Sequence, residues 1–302
     1  MTRVHVTDLV KDYKVRSGSK RSTLRAVDHV SLDLLPGRTV ALVGESGSGK
    51  STIAKILTRM ETPTSGTVDV RLDDDTPVHG SLYRRQVQMV FQDPFSSLNP
   101  FHTIGHHIAR PLRIHKRTRT ATETHVRVLE MLERVNLTPA DDMAPRRPHE
   151  LSGGQRQRVA IARALAPGAQ VIIADEPVSM LDVSIRLGVL NLIARLQREE
   201  RLAVLYITHD LATARHFSDE IVVLYRGRVV ERGPSDAVIL DARHDYTKLL
   251  KMAAPDPELG VRATILAGGE RSSIDNSICY DHFAGEWQQS GVPRPAPSTL
   301  AR

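Results

Sequence analysis

The chain has 302 residues, 40% of them hydrophobic and 25% charged, an ordinary balance for a globular protein of one large or two small domains. No apolar run approaches the roughly 18 residues of a membrane-spanning helix, the start Met1-Thr2-Arg3-Val4-His5-Val6 lacks a signal peptide's apolar core, and the lone Cys279 excludes an internal disulfide or a cysteine-built metal cluster within one chain. The chain is therefore expected in the cytoplasm, and its net charge of +6 is compatible with nucleic acid, an anionic membrane surface or a solvated basic surface alike.

Residues 1–35 read as strands, with Val4-His5-Val6 and Val30-Ser31-Leu32-Asp33-Leu34 alternating apolar and polar. Lys14 to Ser22 between them reads as a polar, basic loop. Tyr13, at the end of the first strand region, offers a flat face of the kind that stacks on an adenine ring, although an exposed strand-end tyrosine is the commoner case. Pro36-Gly37 is a turn feeding Thr39-Val40-Ala41-Leu42-Val43, an apolar run of strand length. Next comes Gly44-Glu45-Ser46-Gly47-Ser48-Gly49-Lys50-Ser51-Thr52, which fits the phosphate-loop pattern G-x-x-x-x-G-K-[ST], and then Ile53 to Leu57 with helical spacing. The glycines let backbone N–H groups turn inward as a nest for phosphate oxygens, and the following helix points its positive end there. Lys50 is expected on the β- and γ-phosphates and the Ser51 hydroxyl on Mg²⁺.

Further along, Thr62 to Gly66 reads as a turn, Thr67 to Arg71 as a strand, and Gln86 to Phe91 as a strand that ends at Gln92-Asp93-Pro94. From Phe95 to Leu165 the pattern turns helical, with periodic segments near 103–114, 121–135 and 153–166. Val171-Ile172-Ile173-Ala174 is a strand of the type buried on both faces, and it ends in Asp175-Glu176-Pro177. Residues 183–200 read as helix, Leu202 to Ile207 as the next buried strand, and Ile221–Tyr225 with Val229–Glu231 as a hairpin around Arg226-Gly227-Arg228. The signal weakens after Pro255, and Gly291 to Arg302, rich in Pro, Ser and Ala, is expected to be disordered.

Carboxylates at a strand's C-terminal end are what a nucleotide-hydrolysing site needs. Asp175 takes the Mg²⁺ role and Glu176 the general base that activates water. Gln92, at another strand end, can reach the metal or the water with its amide, and His209 can donate to the γ-phosphate. Leu151-Ser152-Gly153-Gly154-Gln155 precedes a helix expected to start near Arg156 and so makes a second anion site, or else an ordinary helix cap on Ser152.

The order of Gly44–Thr52, Gln92, Leu151–Gln155, Asp175-Glu176, Ser179-Met180-Leu181-Asp182 and His209 resembles the ATPase subunit of an ATP-binding cassette (ABC) transporter over roughly residues 4–257. The resemblance implies an α/β phosphate-loop NTPase core with an N-terminal antiparallel β subdomain and an inserted helical subdomain near 96–165. On that division 1–257 is the nucleotide-binding domain and 258–302 a C-terminal extension, partly disordered. It also implies ATP and Mg²⁺ as cofactors and a head-to-tail dimer in which Ser152, Gly153 and Gly154 complete the partner's ATP site. Tyr13 becomes the adenine-stacking aromatic, Gln92 the coupling amide and His209 the γ-phosphate switch.

Val90 to Pro100, Arg147-Pro148-His149-Glu150, and Tyr246-Thr247-Lys248-Leu249-Leu250 leading to Pro255-Asp256-Pro257 are similar to the peptide and nickel importer branch. That branch implies two transmembrane permeases, a second ATPase subunit (a heterodimer or a homodimer), an extracytoplasmic substrate-binding protein, a peripheral location on the cytoplasmic side of the cell membrane, and no nucleic acid. Rival readings are an exporter or regulatory subunit, and a soluble ATPase of the same cassette acting on nucleic acid or ribosomes. Met180 departs from the alanine usual in the family's interface loop, and Cys279 alone cannot supply the cysteine-rich tail of many relatives.

Overall fold

The computed structural model describes residues 1–17, 20–253, 274, 276 and 278–289. In chain order the elements are β1 (Thr2–Ser17), β2 (Lys20–Leu34), β3 (Thr39–Val43), α1 (Lys50–Leu57), β4 (Ser65–Leu72), α2 (Gly80–Gln86) and β5 (Val87–Val90). A helical run follows as α3 (Pro94–Ser97), α4 (Ile104–Ile114), α5 (Ala121–Arg134), α6 (Ala140–Met143) and α7 (Gly153–Leu165). Strand returns with β6 (Val171–Asp175), α8 (Val183–Glu200), β7 (Ala203–Thr208), α9 (Leu211–Phe217), β8 (Glu220–Tyr225) and β9 (Arg228–Pro234). Then come α10 (Ser235–Leu240), α11 (Asp245–Ala253), β10 (Ile278–Asp281) and β11 (Glu286–Gln289). This is an α/β fold with an N-terminal antiparallel sheet and a helical insertion. It divides into two units, one of Met1–Arg3, Leu35–Arg38 and Val70–Leu205, the other of Val4–Leu34, Thr39–Asp69 and Tyr206–Arg302.

In the first unit β5 and β6 pair in parallel, from Val87 opposite Val171 to Val90 opposite Ala174. All five β6 residues are buried, the reason its sequence is a continuous apolar run rather than an alternating one. The helices begin where caps start them. Thr103 accepts from His106 N at the head of α4, and Thr120 from Glu123 N at the head of α5. Ile104, Ile108 and Leu112 of α4, spaced four apart, are buried with Val128 and Leu132 of α5. The three periodic segments are thus helices within a residue or two of their expected bounds. The short α3 and α6, each of 4 residues, were not foreseen, because one turn carries no readable period.

In the second unit β1 and β2 form a long antiparallel hairpin, Val4 opposite Leu34 through Ser17 opposite Lys20. Residues 14–17 and 20–22 of the expected loop are therefore strand, with Lys14 opposite Thr23 and Arg16 opposite Arg21. Its outer rungs are exposed, so the hydrophobic alternation stops while the backbone ladder runs on. β3, buried throughout, pairs in parallel with β8, and β8 returns antiparallel into β9. The turn is Arg226-Gly227 alone, at φ 48° and 84°, the two-residue positive-φ connection that suits strand twist. Arg228, expected in that turn, already belongs to β9.

Residues 278–289, for which the sequence offered no account, form a hairpin whose β10 pairs in parallel with β9. The expected Pro255-Asp256-Pro257 marker and the expected disorder of 291–302 lie outside the described residues. The docking is specific. Arg232 Nε and one terminal nitrogen lie 2.8 and 2.7 Å from Asp281 Oδ2, with the two side chains 7% and 4% exposed. His282 N donates to Arg232 O at 2.9 Å. Gly233 makes room, since a Cβ there would stand 2.4 Å from His282 Cβ. Gly233→Ala is expected to loosen the hairpin by about 1–3 kcal/mol. Trp287, the chain's single tryptophan, lies in β11 with its ring 5.2 Å from that of Tyr280 and reports on this locally. Its emission should change at lower urea in the variant, whereas coincident wild-type and variant midpoints would refute the packing argument.

Candidate nucleotide site

The second unit carries the phosphate loop. Gly47 and Gly49 sit at φ 81° and 110°, conformations that a side chain strains. At Gly44 a Cβ would meet Leu224 O at 2.2 Å, and at Gly49 it would meet Ala26 O at 2.3 Å. Both neighbours are backbone that cannot swing aside, so the loop is walled for glycine. Gly227 N donates to Ser48 O at 2.9 Å and Ser48 N to Glu45 O at 3.2 Å, fastening the loop across its turn. Lys50, 5% exposed, curls back so that Nζ donates to Gly44 O at 2.7 Å and Glu45 O at 2.8 Å. Its ammonium therefore sits at the loop, where the N-terminus of α1 adds positive potential. Ser48 Oγ is buried with no hydrogen-bond partner among the described residues, a state that a phosphate oxygen would relieve. Glycine walls, an inward ammonium and an orphaned hydroxyl fit a phosphate group.

Ser46 and Ser51 are exposed and Thr52 is half-buried. Tyr13 lies within β1 opposite Leu24, half-buried, with Lys11 Nζ 4.9 Å from its ring centroid. His209 follows β7 directly and is exposed, as its strand-end position implied. The next residue, Asp210, caps α9 by accepting from Ala212 N and Thr213 N.

The first unit carries the acidic residues. Because β5 and β6 run parallel side by side, both chains leave the sheet at the same edge. Gln92, two residues beyond β5, thereby meets Glu176, the first residue beyond β6, and Gln92 Nε2 donates to Glu176 Oε2 at 3.1 Å. Asp175 is buried, Glu176 half-buried and Gln92 exposed. Glu176 holds φ 44°, with its carbonyl accepting from Ser179 N at 3.2 Å and Ser179 Oγ at 3.1 Å. Ser51 of the second unit, and Gln92 and Asp175 of the first, each carry an oxygen donor of the hard type that Mg²⁺ takes. Among the described residues no cluster of three or more His, Cys, Asp and Glu could hold a metal, and Mg²⁺, which relies on phosphates and waters, asks for none.

Ser152 caps α7 with a reciprocal box, its Oγ accepting from Gln155 N at 3.3 Å while its own N–H donates to Gln155 Oε1 at 2.9 Å. The cap reading thus holds, and it leaves the N–H groups of Gly153 and Gly154 in the first turn, outside the helix's own ladder. Gly154 also serves packing, since a Cβ there would lie 2.5 Å from Ile185 Cγ2 of α8. Met180 is exposed, 55% of its surface open, in the loop between β6 and α8. The reading of single motifs missed the residues that fasten the phosphate loop, Gly227 and Tyr246. Tyr246 stood inside a segment read only as a branch marker.

A glycine-walled loop with an inward lysine, set between a buried parallel strand and a helix, defines a phosphate-loop nucleotide-binding protein. Residues 27–179 match the family described as ABC transporter. The oligopeptide transport ATP-binding protein OppF of Bacillus subtilis is 46% identical over 256 residues, covering 82% of each chain. The glutathione import ATP-binding protein GsiA of Escherichia coli K12 is 46% identical over 261 residues, 84% of this chain and 41% of that one, so the chain spans about two fifths of that relative's length. Among solved structures, the dimeric post-hydrolysis state of the ATP-binding cassette MJ0796 bound to ADP and Pi has a TM-score of 0.64 and 32% identity, covering 77% of this chain and 98% of that one. The cassette protein cbiO1 of Clostridium perfringens gives 0.65 at 25% identity, covering 85% and 96%. The chain belongs to the ABC transporter family, as the resemblance implied.

The Gly154 contact is testable apart from nucleotide. Gly154→Ala should lower stability by about 1–3 kcal/mol, read as a shift in the urea midpoint by circular dichroism. Adding Ile185→Ala should recover part of the loss, and an unshifted Gly154→Ala midpoint would discard the contact as a constraint.

Proposed function

We propose that the chain binds and hydrolyses ATP to energise an importer of di- or oligopeptides, or of nickel, through two transmembrane permease subunits. The observation that carries the reading is the Gln92–Glu176 hydrogen bond, which sets an amide beside a carboxylate at one sheet edge. The 46% identity to oligopeptide and glutathione import proteins supports the substrate class. Lys50 and the amides of residues 44–52 bind the phosphates, and Tyr13 stacks on adenine. Glu176 takes a proton from water as the water oxygen attacks the γ-phosphorus, and the bond to the ADP oxygen breaks. Ser51, Asp175 and the Gln92 amide oxygen would hold Mg²⁺, which when bound neutralises phosphate charge. His209 senses the γ-phosphate, and Gln92 links the site to the membrane subunits.

On this reading a second ATPase subunit, identical or different, pairs head to tail, and Ser152, Gly153, Gly154 and Gln155 complete its site. Residues 1–257 form the nucleotide-binding domain, 96–165 its helical subdomain and 258–302 an extension. Among the described residues no helix is long and apolar enough to cross a membrane. Attachment to the cytoplasmic membrane face then comes through the permeases, with an extracytoplasmic binding protein delivering substrate.

Glu176→Gln should bind ATP yet lose about 10²–10⁴-fold in turnover, the usual share of a general base. A variant that keeps most wild-type phosphate release removes Glu176 from that role. Tagged Glu176→Gln protein held with Mg·ATP in solubilised membranes should recover two multi-span permeases, and recovery of ribosomes or DNA-bound proteins instead would overturn the transport reading. Lys50→Ala should weaken ATP binding about 10–100-fold through lost charge-assisted hydrogen bonds, measured by equilibrium titration. Affinity within about twofold of wild type would remove Lys50 from phosphate binding.

A further inference from the structure

The phosphate loop is tied to the C-terminal hairpin by a continuous path of hydrogen bonds and covalent chain. Glu45 N donates to Tyr246 Oη at 2.9 Å. Tyr246 is 0% exposed, its ring 4.2 Å from that of Tyr225. Tyr246 N donates in turn to His244 Nδ1 at 3.1 Å. His244 N donates to Glu231 Oε2 at 3.0 Å, and Glu231, also 0% exposed, accepts on Oε1 from Arg243 N at 2.9 Å. The same oxygen lies 2.7 Å from His282 Nε2, in the hairpin that Gly233 makes room for. The two bonds at His244 are buried and the other three part-buried, and in a buried setting a polar group that loses its partner is costly and geometry is held tightly.

The path ends on the residue that also aims the lysine. The carbonyl of Glu45 accepts from Lys50 Nζ at 2.8 Å and from Ser48 N at 3.2 Å, while its N–H is held by Tyr246. A shift of the Glu45 peptide therefore shifts both the lysine's anchor and the turn that presents the loop amides. Neither the phosphate-loop pattern nor residues 27–179 include Tyr246 or the hairpin.

We propose that Tyr246 is a positioning residue for the phosphate loop, and that the hairpin at 278–289 sets nucleotide affinity through the His282–Glu231–His244–Tyr246 path. The inference rests on the ATP-binding reading above. Tyr246 touches no phosphate; it fixes the Glu45 peptide, so its loss weakens binding and leaves the chemical step in place.

The test is titration of a fluorescent ATP analogue, paired with steady-state ATPase kinetics, on the full chain. Tyr246→Phe keeps the ring packing and removes the hydroxyl, and it should weaken binding and raise KM about 3–10-fold, with kcat within about twofold. His282→Ala should weaken binding about 2–3-fold, and His282→Gln, which retains a donor of similar reach, should restore it. Trp287 emission and circular dichroism report whether each variant is folded. Folded Tyr246→Phe with wild-type affinity overturns the proposal. Should that variant not fold, wild-type affinity in His282→Ala overturns it equally, as does a kcat loss without a KM change. A wild-type chain that binds no ATP analogue overturns the proposed function itself, an outcome distinct from the others.

Discussion

The lysine ammonium held by the carbonyls of Gly44 and Glu45 is the interaction on which the rest depends. A cation nearly removed from water needs hydrogen-bond acceptors and a nearby anion. Two backbone carbonyls supply the first, and they face Nζ only while the loop keeps its turn. The turn in turn needs glycine at 44, 47 and 49, the buried β3 behind it, and the β8–β9 turn whose Gly227 holds Ser48. Much of the second unit can thus be understood as the support of one charged side chain.

The first unit solves a different problem by a different means. Two parallel strands deliver their ends to one edge, so an amide and a carboxylate 84 residues apart come within 3.1 Å without any dedicated loop. The helical insertion adds α7, whose capped first turn presents glycine amides, and Gly154 brings α7 close to Ile185 of α8. Position here comes from sheet register and helix packing, which are stiffer than loops.

What could be read from the residues was what lies close together in the chain. Gly44–Thr52 is a run of nine whose spacing carries its own mechanism, and Asp175-Glu176 ends a four-residue apolar run; both stand where expected. The buried helices were legible because burial imposes a period. The outer rungs of β1 and β2 were not, since exposed backbone pairing leaves no trace in side-chain polarity. The β10–β11 hairpin was missed because its strands are four residues long, with charged groups that are paired rather than absent. The Glu45–Tyr246 bond joins residues 201 apart, and no local pattern encodes it.

Glu176 is held at φ 44°, in a backbone region that glycine, asparagine and aspartate enter readily and glutamate does not. The two hydrogen bonds from Ser179 to its carbonyl keep it there. A residue kept off its resting conformation costs on the order of 1–3 kcal/mol. The bend that sets the carboxylate beside Gln92 is therefore one that glycine would hold more cheaply, but glycine would bring no carboxylate to it.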